Sequence, residues 1–382
     1  MSPGWRQSFL DLLHGAEGGV DVPAPDVGVE PGWPGFRPMR IDRVVRENAT
    51  VTSIYLTTDD GRDLPEPRAG QYLTLRLPGA GEPAPVRSYS ISSSPRGDAY
   101  RISVKREPKG VVSSYLHTQL HAGATVDVAA PRGDFVLDDD GGPVILMSAG
   151  IGVTPVLAML HHLAAASSTR RLCWVHIARS PDEHAFAVEA HQLLQSLPHA
   201  GEHVFYTAAA ADRADDESVA HGRPTAATLE ALHLPSNATA YLCGPASFMA
   251  EMGDALVQVG VEPGRVHTEL FTTRPALNPG VTDVLSVTPH QPVGLSGTGP
   301  QVTFARSGLS VRWSDRHRSL LELAEACDVP TRWSCRTGVC HNCITPVLSG
   351  GIEYSPEPLE RPGGGQALIC CSRPGEDVVL DL

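Results

Sequence analysis

The segment W-S-C-R-T-G-V-C-H-N-C at 333–343 places Cys335, Cys340 and Cys343 at C-x4-C-x2-C spacing, and two further cysteines follow at 370 and 371. Thiolates are soft, anionic ligands. Three from one tight loop, closed by a distant fourth, is the spacing that holds a 2Fe-2S cluster. Gly338 suits a loop that must turn sharply around such a cluster. Two other uses of these residues stay open: a zinc site with His341 as a ligand, or cysteines that simply pack. Structural zinc takes two cysteine knuckles or a Cys–His pair set. Only one half here looks like a knuckle, which favours the cluster.

A second set of residues has the chemistry of a redox flavin site. A flavin needs a cation for its phosphate, an aromatic to cover its ring or ribityl chain, and a short hydroxyl near the reactive ring nitrogen. R-S-Y-S supplies these as Arg87, Tyr89 and Ser90, with Ser88 between, and Tyr72 lies upstream in A-G-Q-Y-L-T-L. On a strand, Arg87 and Tyr89 share one face and Ser90 points to the other. Downstream, K-G-V-V-S-S-Y-L opens a helix whose free amides near Val112 and Ser113 could hold a phosphate.

A third set fits a dinucleotide. G-I-G-V-T-P (Gly150, Ile151, Gly152, Val153, Thr154, Pro155) follows an apolar strand and opens a helix. It lacks the third glycine of G-x-G-x-x-G, but its position suits a backbone that approaches a pyrophosphate at a helix N-terminus. At the end of the next strand, Arg179 and Ser180 could accept a 2′-phosphate, while Asp182 and Glu183 could accept a 2′-hydroxyl, so both NADH and NADPH remain open. Cys243, Gly244 and Pro245 end another strand at the same edge, and Phe271 ends the last in H-T-E-L-F. A strand-end cysteine can equally be packing.

The elements that would position these residues follow from pattern. Residues 1–37 read as a short amphipathic helix, with Trp5, Phe9, Leu12 and Leu13 at helical spacing, and a linker. Residues 38–140 carry short alternating strands with Gly and Pro between them, as in an antiparallel β-barrel, interrupted by one helix near 113–120. Residues 141–272 alternate apolar strands with helices, the pattern of an α/β doubly wound parallel sheet. Residues 273–299 read as a linker. Residues 300–382 read as a hairpin, a helix at S-L-L-E-L-A-E-A, the cysteine loop and closing strands, a small α+β domain.

Composition agrees with a multidomain protein. The 382 residues allow two or three domains, and 41% hydrophobic content contains no run near the ~18 apolar residues of a membrane helix. A net charge of −13 excludes a broad nucleic-acid surface. No secretory signal pattern opens the sequence. Six of the eight cysteines lie from Cys327 onward, clustered as for a metal rather than spread as a disulfide framework, so a cytoplasmic location is expected.

In order, R-S-Y-S, G-V-V-S-S-Y, G-I-G-V-T-P, C-G-P and E-L-F resemble the ferredoxin–NADP reductase superfamily over about 38–272. The reductase half of flavohaemoglobins is similar in I-S-V-K-R-E, A-P-R-G-D-F and Y-L-C-G-P. Residues 300–382 resemble plant-type ferredoxin, which has a β-grasp fold, with Cys370 matching the fourth cluster ligand and Cys371 its neighbour. The order flavin, nucleotide, cluster resembles the phthalate dioxygenase reductase family.

The resemblance implies FAD, with FMN as the alternative, and nucleotide contacts from residues 150–155. It also implies Ser90 and Cys243 at the reacting centre and Phe271 over the flavin where nicotinamide docks. Thr272 and Thr273 replace the Gly-Pro with which flavohaemoglobins continue. The N-terminal P-G-W-R-Q-S-F-L-D-L-L resembles the tail after a MOSC domain in fused reductases. The expected function is electron transfer from NAD(P)H through flavin to a 2Fe-2S cluster and on to a Rieske or haem oxygenase component. Alternatives are a self-contained flavoenzyme and a non-catalytic redox sensor.

Overall fold

The computed structural model describes residues 33, 35–58, 63–81, 84–94, 97–108, 110–208, 219–271, 288–292, 297–331, 333, 338–339, 341 and 343–382. The expected N-terminal helix, most of the expected linker, and Cys335 and Cys340 lie outside them. The chain divides into two compact units, Met1–Phe271 and Thr272–Leu382.

The first unit begins with an antiparallel sheet of β1 (Phe36–Arg46), β2 (Val51–Thr57), β3 (Tyr72–Arg76), β4 (Val86–Ser90), β5 (Tyr100–Lys105) and β6 (Thr125–Arg132). The strand order is β4-β3-β6-β1-β2-β5. Beyond β4, Ile91 bridges Ile102 of β5, and the Ser92 N–H donates to the Arg101 carbonyl at 2.8 Å. The period of two places Met39, Ile41, Ile54, Leu56, Leu73, Leu75 and Ile102 in one core. Burying each such side chain stabilises the fold by roughly 1.5–3 kcal/mol.

Helix α1 (Val111–Thr118) opens directly after its N-cap Gly110, two residues before the 113–120 of the sequence pattern, and takes no side-chain cap.

The same unit continues with a parallel sheet of β7 (Val144–Ala149), β8 (Leu172–Ala178), β9 (Ala200–Tyr206), β10 (Val219–His221), β11 (Thr239–Gly244) and β12 (Val266–Leu270), in the order β10-β9-β8-β7-β11-β12. Helices α2 (Val153–Ala165), α3 (Ala187–Gln195), α4 (Ala226–Ala231) and α5 (Ala246–Gln258) connect them. Alternate strand residues enter two cores: Leu146, Trp174 and Tyr241 pack with α2 and α3, whereas Met147, Val175 and Leu242 pack with α5. Both faces are therefore covered, which explains why β7 is continuously apolar from Val144 to Met147 rather than alternating. The short edge strand β10 has no separate sequence signal; it forms because Val219, Ala220 and His221 can extend the ladder beside Val204, Phe205 and Tyr206.

The second unit has a mixed sheet in the order β14-β13-β19-β15-β17, with β13 (Gln301–Phe304), β14 (Leu309–Arg312), β15 (Ile344–Ser349), β17 (Gln366–Leu368) and β19 (Val378–Leu380). A ribbon of β16 (Ile352–Tyr354) and β18 (Ser372–Pro374) stands beside it in sequence. Helix α6 (Leu320–Ala326) starts at Ser319, whose hydroxyl accepts the Glu322 N–H at 3.3 Å, the S-x-x-E start signal. Leu320, Leu323 and Ala324 then pack with Val302, Phe304, Leu368 and Leu380. Among the described residues no helix is long and apolar enough to cross a membrane.

Candidate functional site

Strand pairing sorts the flavin candidates onto two faces. Tyr72 stands opposite Ser90 and Leu73 opposite Tyr89. Tyr72 and Ser90 therefore neighbour each other, while Arg87 and Tyr89 share the other face. Thr74 and Ser88 occupy the Tyr72 face and join through their hydroxyls at 3.0 Å. The Ser90 Oγ is buried with no hydrogen-bond partner among the described residues. An unmatched buried hydroxyl costs about 1–3 kcal/mol, so a polar atom of a ligand fits there. Tyr89 is packed against the core, and burial pushes its phenol pKa well above the ordinary value. Arg87 donates Nη1 to the Val86 carbonyl at 2.8 Å.

At α1, the Ser113 hydroxyl is already engaged: it accepts the Glu107 N–H at 3.1 Å and donates to the Gly110 carbonyl at 3.3 Å. A phosphate at this helix start would therefore meet the amides of Val112 and Ser113, not the hydroxyl.

The nucleotide candidates meet at the carboxyl edge of the parallel sheet. Gly150, Ile151 and Gly152 form a 3-10 turn that runs into α2, which begins without a side-chain cap. Val153, Thr154 and Pro155 are buried, and Thr154 Oγ1 donates back to the Ile151 carbonyl at 3.1 Å. Nothing lies within 4 Å of where a Cβ on Gly150 would stand, so the turn leaves open space for a ligand.

Gly152 is different. A Cβ there would lie 2.2 Å from the Cys243 carbonyl oxygen, so only glycine lets the G-I-G turn lie against C-G-P. Gly152→Ala is expected to cost at least about 1–3 kcal/mol, because backbone rather than a movable side chain blocks it. Urea unfolding would measure this loss.

Cys243 is fully buried, and burial, with Glu269 second, holds its thiol well above the ordinary pKa. It is therefore a neutral thiol at neutral pH rather than a nucleophile. Gly244 ends β11, and Pro245 is the N-cap of α5. Phe271 is 42% exposed just past β12, one residue beyond the Leu270 that pairs with Gly244.

Arg179 and Ser180 stand beyond β8. The Arg179 side chain is 76% exposed, with Nε 3.7 Å from Glu183 Oε1, and Ser180 precedes the 3-10 turn Pro181–Glu183 without a side-chain capping bond.

Glu269 was missed by sequence reasoning. It pairs in register with Cys243, its Oε2 is buried without a partner among the described residues, and burial raises its pKa to about 8. The available signal was an acid within the last parallel strand of an apolar sheet, one strand from the strand-end cysteine. Nearby, Ser148 and His176 lie 2.8 Å apart, and His176 stacks on His184. Burial pushes the pKa of both imidazoles down, that of His184 to about 4.

In the second unit, Cys343 and Cys370 are both buried. The Gly338 N–H donates to Cys370 Sγ at 3.3 Å, as backbone amides do to the sulfurs of an iron–sulfur site. Gly338 itself has φ +70°, and a Cβ there would lie 2.6 Å from Cys371 Sγ. Cys371 Sγ instead donates to the Leu368 carbonyl at 3.5 Å and is fully buried in the core.

Three family models match: an oxidoreductase FAD-binding domain over residues 44–137, an oxidoreductase NAD-binding domain over 146–254, and a 2Fe-2S iron-sulfur cluster binding domain over 302–375. A flavohemoprotein of Deinococcus radiodurans is 39% identical over 275 residues, which is 70% of this chain and 67% of that protein. The flavohem-like FAD/NAD-binding domain of nitric oxide dioxygenase from Vibrio cholerae superposes with a TM-score of 0.57 at 34% identity, over 62% of this chain and 99% of that one. Phthalate dioxygenase reductase, a modular structure for electron transfer from pyridine nucleotides to [2Fe-2S], superposes with a TM-score of 0.54 at 27% identity, over 91% of this chain and 98% of that one.

The orphaned Ser90 hydroxyl, the open turn at Gly150 and the amide on Cys370 Sγ suit FAD, NAD(P)H and a 2Fe-2S cluster in turn. The chain is accordingly an NAD(P)H-dependent electron-transfer oxidoreductase, and it belongs to the flavohemoprotein-like family of FAD/NAD-binding reductases, joined to a C-terminal 2Fe-2S ferredoxin domain as in phthalate dioxygenase reductase-type proteins.

Proposed function

We propose that the chain takes electrons in pairs from NAD(P)H and delivers them one at a time to a separate protein acceptor, an oxygenase component of the Rieske or haem class. The observation that carries this reading is the presence of flavin, nucleotide and cluster modules in one chain, in an order shared along 98% of phthalate dioxygenase reductase. When bound, FAD accepts hydride and yields single electrons, and a plant-type cluster near roughly −400 mV donates onward.

The chain's own residues orient and protect these groups. Ser90 would offer its buried hydroxyl to the reactive ring edge, with Tyr72 and Ser88 on the same face of β3 and β4, while Arg87 and Tyr89 stand on the opposite face of the flavin strand. Val112 and Ser113 present amides at α1. The amides of residues 150–155 hold the pyrophosphate, with Gly244 and Pro245 beside them and Arg179 and Ser180 at the ribose. Phe271 covers the nicotinamide position. Cys243 packs behind it as a neutral thiol, and Glu269 keeps a proton there below about pH 8.

Cys335, Cys340, Cys343 and Cys370 hold the cluster. The domains run 38–140, 141–272 and 300–382, and the first closes into a barrel, supported by the bridge from Ile91 to Ile102.

Anaerobic absorption titration with NADH and NADPH in separate cuvettes tests the reading. Both flavin and cluster bands should bleach, and the coenzyme effective at lower concentration is the physiological one. Bleaching of flavin with an unchanged cluster band would defeat the relay. Turnover of an organic substrate without any added protein would favour a self-contained flavoenzyme.

A further inference from the structure

A buried polar clamp joins the flavin sheet to the nucleotide domain inside the first unit. Its centre is Arg101 on β5, whose side chain is only 6% exposed. Nη1 and Nη2 donate to the two carboxylate oxygens of Glu189 on α3, at 2.8 and 2.7 Å. Nε donates to the Ser92 hydroxyl at 3.1 Å, and Nη2 also reaches the Ser92 carbonyl. Ser92 lies two residues past Ser90, and its hydroxyl continues to Ser103 and Ser53 in steps of 2.8 Å.

On the other side, Glu189 Oε1 lies 2.5 Å from His161 Nε2 on α2, the helix that the G-I-G turn opens. Strand β5 also packs against that turn. The Arg101 guanidinium lies 5.0 Å from the centre of the Phe186 ring, which precedes α3.

We propose that Arg101, Glu189 and His161 are positioning residues that set the flavin strand against the nucleotide helix, and so fix the hydride-transfer geometry. The idea rests on the reading that Ser90 faces the flavin and residues 150–155 hold the coenzyme. Apolar contacts also join the two parts, since Val51, Ala69, Phe135 and Leu137 share a core with α2. Such contacts are non-directional, whereas a guanidinium fork on a carboxylate fixes distance and angle together. Burial alone would raise the pKa of Glu189, but hydrogen bonds from His161 and Arg101 outweigh it and hold it at about 2, so the Glu189 carboxylate stays ionised throughout the working range.

Glu189→Gln tests this, because it keeps shape and removes the charge that binds both partners. In anaerobic stopped flow at saturating coenzyme, flavin reduction is expected to slow about 10- to 100-fold, the cost of roughly 1 Å of misplacement. The coenzyme dissociation constant should stay within about twofold. Arg101→Lys, which keeps the charge but not the fork, should lie between Glu189→Gln and wild type.

A second readout needs no cofactor. In flavin-free protein, Glu189→Gln should speed hydrogen exchange about 10-fold or more at both the Ser92 amide on the flavin side and the Ala190 amide in α3, since one clamp protects both. A wild-type flavin reduction rate in Glu189→Gln would overturn the proposal. So would a rate loss matched by an equal loss of coenzyme affinity, or exchange that quickens at α3 alone. A wild-type protein whose flavin neither coenzyme reduces would instead defeat the functional reading.

Discussion

Cys370→Ser is expected to abolish the cluster absorption and to lower NAD(P)H-driven cytochrome c reduction more than about 100-fold, whereas Cys371→Ala leaves both near wild type. Loss even of an outer partner of a metal ligand costs 10–100-fold, so loss of a ligand itself should cost more. The two sulfurs are adjacent in sequence but differ in their hydrogen bonding. Cys370 Sγ receives the Gly338 amide at 3.3 Å, the kind of hydrogen bond that tunes a cluster-bound sulfur. Cys371 Sγ donates its proton to the Leu368 carbonyl and sits in the apolar core, which favours a thiol.

Ferricyanide reduction, which can draw on flavin directly, should stay within about twofold in both variants, and this separates cluster loss from unfolding. A cluster retained in Cys370→Ser and lost in Cys371→Ala would reverse the assignment.

The second large effect is on stability. Glu269 is a carboxyl whose folded pKa is raised by burial from 4.5 to about 8. Its unfolded form ionises first as pH rises, so the stability it contributes is full below about pH 4.5 and is lost as pH climbs toward 8. At 1.36 kcal/mol per unit, the loss by pH 7 is roughly 3 kcal/mol.

Glu269→Gln keeps the neutral shape and removes the titration. It is therefore expected to unfold at higher urea than wild type at pH 7, with little difference at pH 4.5. Urea midpoints of both proteins at pH 4.5, 7 and 8.5 measure the gap, and a gap that does not widen with pH would show that Glu269 ionises normally in the folded protein. Glu189 works in the opposite direction. Its pKa is lowered to about 2, so its stabilisation holds above about pH 4.5 and disappears as pH falls toward 2.

Features set by neighbours along the chain were legible without coordinates. The C-x4-C-x2-C spacing is read along the chain, G-I-G-V-T-P lies between an apolar strand and a helix, and the helix expected at S-L-L-E-L-A-E-A is α6, which starts at Ser319. Each depends on backbone preference, side-chain period or short ligand spacing, all of which are local. The strand period also announced that Arg87 and Tyr89 would part from Ser90, as the pairing with Leu73 and Tyr72 has it.

Tertiary structure alone decided which distant residues meet. The contact of Gly152 with Cys243, and the pairing of Cys243 with Glu269, exist because β7, β11 and β12 lie side by side in that order. The meeting of Arg101 with Glu189, 88 residues on, depends on how β5 lies against α3. No local propensity encodes such order, because it follows from which apolar faces bury one another. The same burial creates the raised pKa of Glu269 and the unsatisfied hydroxyl of Ser90: a side chain's identity is written in the sequence, but its loss of water is set by residues far along the chain.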